Sequence, residues 1–275
     1  MTSELTIEPL TPFIGAEITG VDLRKVTQEQ VTGIRAALLK HQVVFFRDQT
    51  LNQKEHIHFA RQFGELEIHP ATPKGQNNPE VLHIAHGPDS KGRENSWHSD
   101  VTWREKPSLG SILKAVEVPA VGGDTLFANM AEAYERLPDD IKDKIAGKIA
   151  VHDIARVFAG RLNKTAEQLR ETYPVMEHPI VRTHPETGAN VLYVNTAFTS
   201  HIKGMDEDES TELLQALYRT ASNPELQCRF RWKAGSLAFW DNRACQHFAS
   251  SDYFPQVRKM ERVTIAGDRP YYRAA

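Results

Sequence analysis

RFRWKAGSLAFWDNRACQH, residues 229–247, holds two short runs rich in apolar and aromatic residues, RFRW (229–232) and SLAFWD (236–241), on either side of Lys233-Ala234-Gly235. Runs of this length and composition read as β-strands, and a short connection containing glycine reads as a hairpin turn. Outward from it the same rhythm recurs as VLHIAH (81–86), SILKAVEV (111–118), TLFAN (125–129), NVLYVN (190–195) and RVTIAG (262–267). Helical periodicity is confined to a few places. Val31, Ile34, Leu38 and Leu39 repeat behind Thr27, predicting a helix over 27–40, with the buried strand QVVFF (42–46) after it and a second helix over 53–63. Helical stretches at 130–148 and 206–221 interrupt the strands without alternating with them, and the acids of Met205–Ser210 suit the positive end of a helix. This is not the βαβ rhythm of a doubly wound sheet. The expected class is mainly β with flanking helices, a double-stranded β-helix (jelly roll) whose open mouth can hold a ligand or metal.

No repeat, low-complexity tract or linker divides the 275 residues, so one domain over 1–275 is expected. Lys plus Arg number 33 against 36 Asp plus Glu, a formal charge of -3, which gives no electrostatic reason to expect a nucleic acid or an anionic membrane as partner. No apolar run approaches the length of a membrane span. Two cysteines, Cys228 and Cys245, cannot build a disulfide framework, and MTSELTIEPL lacks the basic start and apolar core of a signal peptide. The expectation is a cytoplasmic protein in which Cys245 is a small buried hydrophobe.

Most of the 12 histidines, among them His41, His56, His58, His83 and His86, lie on predicted helices and strands and read as structural or surface groups. His98 and Asp100 differ. In an extended Trp97-His98-Ser99-Asp100-Val101 segment, residues i and i+2 face the same way, so an imidazole and a carboxylate can reach one ion. His247, presented after the turn that follows SLAFWD, is the candidate third ligand. Two imidazoles and one carboxylate suit a non-haem Fe(II) oxygenase, although zinc accepts the same ligand types. Arg258 and Arg262, downstream of His247 and expected on a strand next to it, can aim guanidinium groups at anions in the same pocket. Gly122-Gly123-Asp124-Thr125 lacks the ending of a phosphate loop, but the Thr125 hydroxyl can serve a carboxylate, and His69 can donate to a substrate anion. The polar, poorly periodic region 160–173 is the expected lid.

With these residues in hand, the chain resembles the taurine dioxygenase family of Fe(II)/2-oxoglutarate-dependent oxygenases along almost its whole length. The matching stretches are IGAEITGVDL (14–23), HQVVFFRDQ (41–49), FGELEIHP (63–70), WHSDVTW (97–103), GGDTLF (122–127), HPIVRTHPETG (178–188), FWDNRACQH (239–247) and MERVTIAGDRPYYR (260–273). The resemblance implies Fe(II) on His98, Asp100 and His247, with 2-oxoglutarate held by Arg258 and Thr125 and O₂ as oxidant. It implies a small anionic organosulfur substrate held by His69, the Val101 backbone and Arg262, which lies close to both substrate and cosubstrate, with Phe158 and Phe198 as apolar walls. The implied reaction hydroxylates the carbon next to sulfur of taurine or a related alkyl sulfonate, releasing sulfite and an aldehyde, with succinate and CO₂ as coproducts. A dimer or tetramer is implied as well.

Three positions depart from taurine-specific members: Thr72 replaces Tyr, Val157 replaces Ser, and Glu94 replaces Asn, with Asn95 adjacent. These surround the amine of taurine. An alkyl sulfate ester, releasing sulfate and an aldehyde, is therefore the alternative, ahead of an aryloxyalkanoate. A zinc hydrolase on the same fold would leave Arg258 and Thr125 without a purpose.

Overall fold

The computed structural model describes residues 5–160 and 163–274. Its strands are β1 (Thr6–Pro9), β2 (Ala16–Thr19), β3 (Val43–Phe46), β4 (Leu66–Glu67), β5 (Val81–His86), β6 (Gly110–Glu117), β7 (Thr125–Asn129), β8 (Ile149–His152), β9 (Met176–Pro179), β10 (Val181–Thr183), β11 (Asn190–Leu192), β12 (Thr199–Ile202), β13 (Gln227–Phe230), β14 (Leu237–Asp241), β15 (Cys245–Ala249) and β16 (Arg258–Ile265). Its helices are α1 (Gln28–His41), α2 (Gln53–Arg61), α3 (Met130–Glu135), α4 (Asp139–Ile145), α5 (Ala155–Phe158), α6 (Ala166–Thr172) and α7 (Glu207–Thr220). The chain is mainly β with helices outside, as the sequence indicates.

Helix α1 starts where Thr27 accepts from the Gln30 N–H while the Gln30 side chain accepts from the Thr27 N–H, a reciprocal cap of two otherwise unpaired donors. It stops at Gln42, in the left-handed region (φ 63°), whose N–H donates to the Leu38 carbonyl, so the following strand starts at Val43. Both faces of β3 are buried because side chains alternate across a strand. Val44 and Phe46 pack with Ile34 and Leu38 of α1 and Phe59 of α2, while Val43 and Phe45 turn the other way, toward Phe127 and Phe230. In β14, Leu237 and Phe239 join the helix side, and Ala238 and Trp240 the opposite side.

The large sheet has the order β1-β2-β3-β14-β6-β16-β4, with β5 also paired to β16, and a second sheet has the order β13-β7-β15. The two share one apolar layer, in which Phe45 stacks on Phe230 with ring centroids 4.0 Å apart and meets Phe127 edge-on at 5.6 Å. Smaller sheets, β12-β8-β9 and β10-β11, enclose a further cluster with α3 and α7.

Several expectations need correction. Lys233-Ala234-Gly235 is not a hairpin turn: β13 pairs with β7, whereas β14 pairs with β3 and β6. The connection is a corner between sheets, pinned by the Gly235 N–H on the Ala115 carbonyl and by the Gln49 N–H on the Gly235 carbonyl. The 130–148 helix breaks in two, since the residue before Pro138 is driven out of the α region. Strand β16 begins at Arg258, four residues earlier than expected, and only 190–192 of NVLYVN pairs. Within 160–173, residues 161–162 lie outside the described part, while 166–172 form the capped helix α6, with Leu169 fully buried.

Gly110 marks the closest approach in the large sheet, because a Cβ there would lie 2.3 Å from the Trp240 carbonyl oxygen of β14. Gly110→Ala should therefore force two central strands apart and cost about 3 kcal/mol. Thermal unfolding should show Tm lowered by roughly 6–12 °C.

Candidate active site

His98 and His247 are joined through their backbones. The His98 N–H donates to the His247 carbonyl (3.1 Å) and the His247 N–H to the His98 carbonyl (2.8 Å), an isolated antiparallel bridge that adds the 98 segment to the edge of β15. Opposed residues in such a pair project side chains to the same face. The two imidazole centroids lie 4.2 Å apart. His98 commits Nδ1 to the Ser96 carbonyl (2.8 Å), which leaves Nε2 facing Asp100 at 3.9 Å. The His247 ring packs against both Phe127 and Trp240, its Nδ1 buried and without a partner.

Asp100 is held from three sides. Its N–H donates to Asn242 Oδ1 (2.6 Å), and Asn242 Nδ2 donates back to the Asp100 carbonyl (2.9 Å) and to the Ser108 carbonyl (3.2 Å). Its carboxylate accepts from Arg262 Nη1 at 3.0 Å and from Ser111 Oγ at 3.3 Å. Burial alone would raise the Asp100 pKa, but Arg262 and the two imidazoles outweigh it and hold the group well below the usual carboxylate range. Burial, reinforced by His98, lowers the His247 pKa to about 3. A ligand atom from each of His98, Asp100 and His247 lies within 4.8 Å of the other two, so the three offer two imidazoles and a carboxylate to one cation. Among the described residues no other group of His, Cys, Asp or Glu does so.

The turn that delivers His247 is itself braced. Asp241 accepts from Arg243 Nε (2.9 Å) and Nη2 (2.7 Å) and from His184 Nε2 (3.0 Å), and Arg243 also reaches Glu186 at 2.8 Å. Cys245 is buried and its thiol pKa is pushed well up by burial, in keeping with the inert role expected of it.

Arg258 and Arg262 alternate onto the inner face of β16 with Met260 between them, so both point between the sheets. They come from the sheet opposite β15, not from a strand beside it, which corrects the expected placement. Arg258 donates Nε to the Gly123 carbonyl (3.2 Å), and its guanidinium carbon lies 5.9 Å from the Trp232 ring centroid. Trp232 Nε1 donates to Thr125 Oγ1 at 2.9 Å, so Thr125 and Arg258 border one buried corner. Arg258 Nη2 is buried with no partner there, and Arg262 Nε is likewise unpaired. Unpartnered buried guanidinium nitrogens beside a two-histidine carboxylate set fit a bound metal and an anionic cosubstrate.

A cavity of about 190 Å³ opens beside His98 and Asp100. Of the substrate residues named from sequence, it is lined by His69, Glu94, Val101, Val157, Phe158, Phe198 and Arg262. His69 accepts at Nδ1 from the Ala71 N–H (3.1 Å), and burial followed by the Arg262 charge lowers its pKa to about 4. The neutral ring thus carries its proton on Nε2, a donor. Val101 adopts φ 49°, a strained backbone for a β-branched residue worth roughly 1–3 kcal/mol. Glu94 Oε2 lies 3.3 Å from His86 Nε2.

Thr72 and Asn95 do not line this cavity, which corrects their placement: Thr72 closes a turn on the His69 carbonyl and Asn95 is exposed. Missed from sequence were Leu82 and Ile84, Arg93, Trp103 and Asn242. Leu82 pairs in register with Arg262 and Ile84 with Met260, so strand alternation locates both once the β5–β16 pairing is known.

A family model described as "Taurine catabolism dioxygenase TauD, TfdA family" matches residues 6–264. The chain is 39% identical over 278 residues to an alpha-ketoglutarate-dependent sulfate ester dioxygenase of Pseudomonas putida, covering 97% of this chain and 91% of that one. It is 36% identical to an alkylsulfatase of Acinetobacter baylyi, with 97% and 86% covered. Among solved structures, a taurine dioxygenase from Burkholderia xenovorans superposes with a TM-score of 0.85 at 41% identity, covering 97% and 90%.

Asn242 satisfies both backbone groups of Asp100, so Asn242→Ala should leave buried polar groups unpaired and let the carboxylate drift. Titration with Mn(II) should show affinity reduced about 10- to 100-fold while circular dichroism stays native. Undiminished affinity would show that Asp100 needs no such clamp.

Proposed function

Because the chain belongs to the taurine catabolism dioxygenase TauD, TfdA family, we propose that it hydroxylates the carbon bearing the sulfate oxygen of an alkyl sulfate ester, releasing sulfate and an aldehyde. His98, Asp100 and His247 would hold Fe(II), and Arg258 with Thr125 would hold the far carboxylate of 2-oxoglutarate. Bound there, Fe(II) and 2-oxoglutarate would supply with O₂ the oxidant that exchanges a C–H hydrogen for hydroxyl, the cosubstrate leaving as succinate and CO₂. The double-stranded β-helix, taken as one domain, is the architecture in which these residues meet. Support comes from the two sheets sharing the Phe45, Phe127 and Trp240 layer.

The observation that carries the substrate is the lining of the 190 Å³ cavity, which combines cationic and donor groups with apolar side chains. Arg262 and the Nε2 donor of His69 line it, together with Arg93, so a sulfate or sulfonate can be held by charge-assisted hydrogen bonds. The same cavity is lined by Leu82, Ile84, Val157, Phe158 and Phe198, which exclude water and place methylenes. Val157 gives a substrate amine no partner. The hydroxylated carbon would bear both hydroxyl and sulfate ester, and its collapse breaks the C–O bond to sulfate.

A second reading, an alkyl sulfonate such as taurine, is favoured by Glu94, a carboxylate lining the cavity that could pair with an amine. Sulfite would then replace sulfate as product.

Fe(II)-loaded protein with 2-oxoglutarate should form succinate in step with sulfate from butyl sulfate and much more slowly with taurine. Sulfite formed faster from taurine would select the second reading, and neither product would overturn both. His98→Ala should abolish turnover, and Arg258→Gln should raise the KM for 2-oxoglutarate about 10- to 100-fold.

A further inference from the structure

A second cavity, of about 220 Å³, lies against the first, and the two share His69, Trp103 and Phe158 as lining. Its remaining walls are Pro70 and Ala71 after β4, Ile154 before α5, and Leu169 and Tyr173 on and just after α6. Ile154, Leu169, Trp103 and Phe158 belong to one apolar cluster, and the Trp103 ring meets Tyr173 edge-on at 4.9 Å. Its charged lining residue, Lys164, is exposed, so the charge stands at the outer rim. Interior walls of this kind favour methylenes over an anion or an amine.

The partition is uneven in strength. Trp103 is buried, whereas Phe158 is only partly buried and ends a four-residue helix, with Gly160 at φ 74° just beyond. The side of the wall able to yield to a chain is therefore Phe158.

We propose that the second chamber takes the distal methylenes of an unbranched alkyl chain whose anionic end is held at Arg262 and His69, so that the substrate is a linear alkyl sulfate long enough to pass between Trp103 and Phe158. This rests on the reading of the anionic end given under Proposed function. A two-carbon substrate would leave the chamber unused.

Ala71 is an exposed residue, and its N–H bond to His69 is a backbone bond, so Ala71→Trp can fill the chamber without disturbing the anion site. Anaerobic calorimetry of Fe(II)- and 2-oxoglutarate-loaded protein should show octyl sulfate binding more tightly than butyl sulfate, by about fourfold for each methylene that enters the chamber. Ala71→Trp should weaken octyl sulfate by tenfold or more and leave butyl sulfate within twofold. Ala71→Leu, a smaller plug, should fall between and keeps the test intact should the indole prevent folding. Wild-type affinities equal for the two chains, or octyl sulfate bound undiminished by both variants, would overturn the chamber. Tight, Ala71-dependent octyl sulfate binding without succinate or sulfate formation would overturn the proposed reaction and leave the chamber standing.

Discussion

Two reciprocal backbone hydrogen bonds between His98 and His247 fix the separation of the two backbone positions from which the imidazoles project. They bind a loop from the middle of the sequence to a strand near its end, so neither segment alone carries the site. The ring centroids lie 4.2 Å apart, and the low His247 pKa follows from burial first and from the neighbouring His98 on top of it. A neutral His247 imidazole next to an ionised Asp100 carboxylate is thus set up by the fold, with little protonation on either group left for a metal to displace.

Asp100 is placed by a different device. Asn242, in the turn between β14 and β15, spans Asp100 and Ser108 with its amide, and the same turn is braced through Asp241 by Arg243 and His184. All three candidate ligands are therefore referred to the β14–β15 turn. The opposite sheet contributes charge: Arg262 pairs with Asp100 by Nη1 and keeps Nε unsatisfied. A guanidinium divided in this way links occupancy of an anion beside it to the carboxylate that faces the metal position.

How much of this could be read from the residues depended on how local each feature was. VLHIAH and TLFAN match their strands residue for residue, since alternation and flanking turns are encoded within a few positions. The H-x-D pair was legible for the same reason. The Lys233-Ala234-Gly235 connection was misread because a hairpin and a corner between sheets share one local signature; Phe230 stacking on Phe45 in the facing sheet decides between them. Leu137-Pro138 marked a helix break that the apolar periodicity overrode. Asn242 was invisible because an asparagine after a strand reads as a turn residue, and its role needs Asp100 in space. Thr72 and Asn95 were named as or beside departures around the family's amine end, and neither lines the cavity, because a place in or next to a motif does not by itself direct a side chain into it.

The division between what holds the metal position and what lines the cavity has a structural cause. His247, Arg258, Arg262 and Ser111 stand on strands whose neighbours are paired on both sides or locked into the Phe127 and Trp240 layer, and moving any of them disturbs a sheet. Val157 and Phe158 stand on a one-turn helix, and Ala197 and Phe198 on the loop before β12, where one side chain can be exchanged without shifting a ladder. Of the three positions that the resemblance sets apart from the taurine-specific pattern, Glu94 and Val157 line this cavity and Thr72 does not. Substrate preference can then drift while the ligand geometry is conserved by the sheets, because the two draw on different parts of the fold.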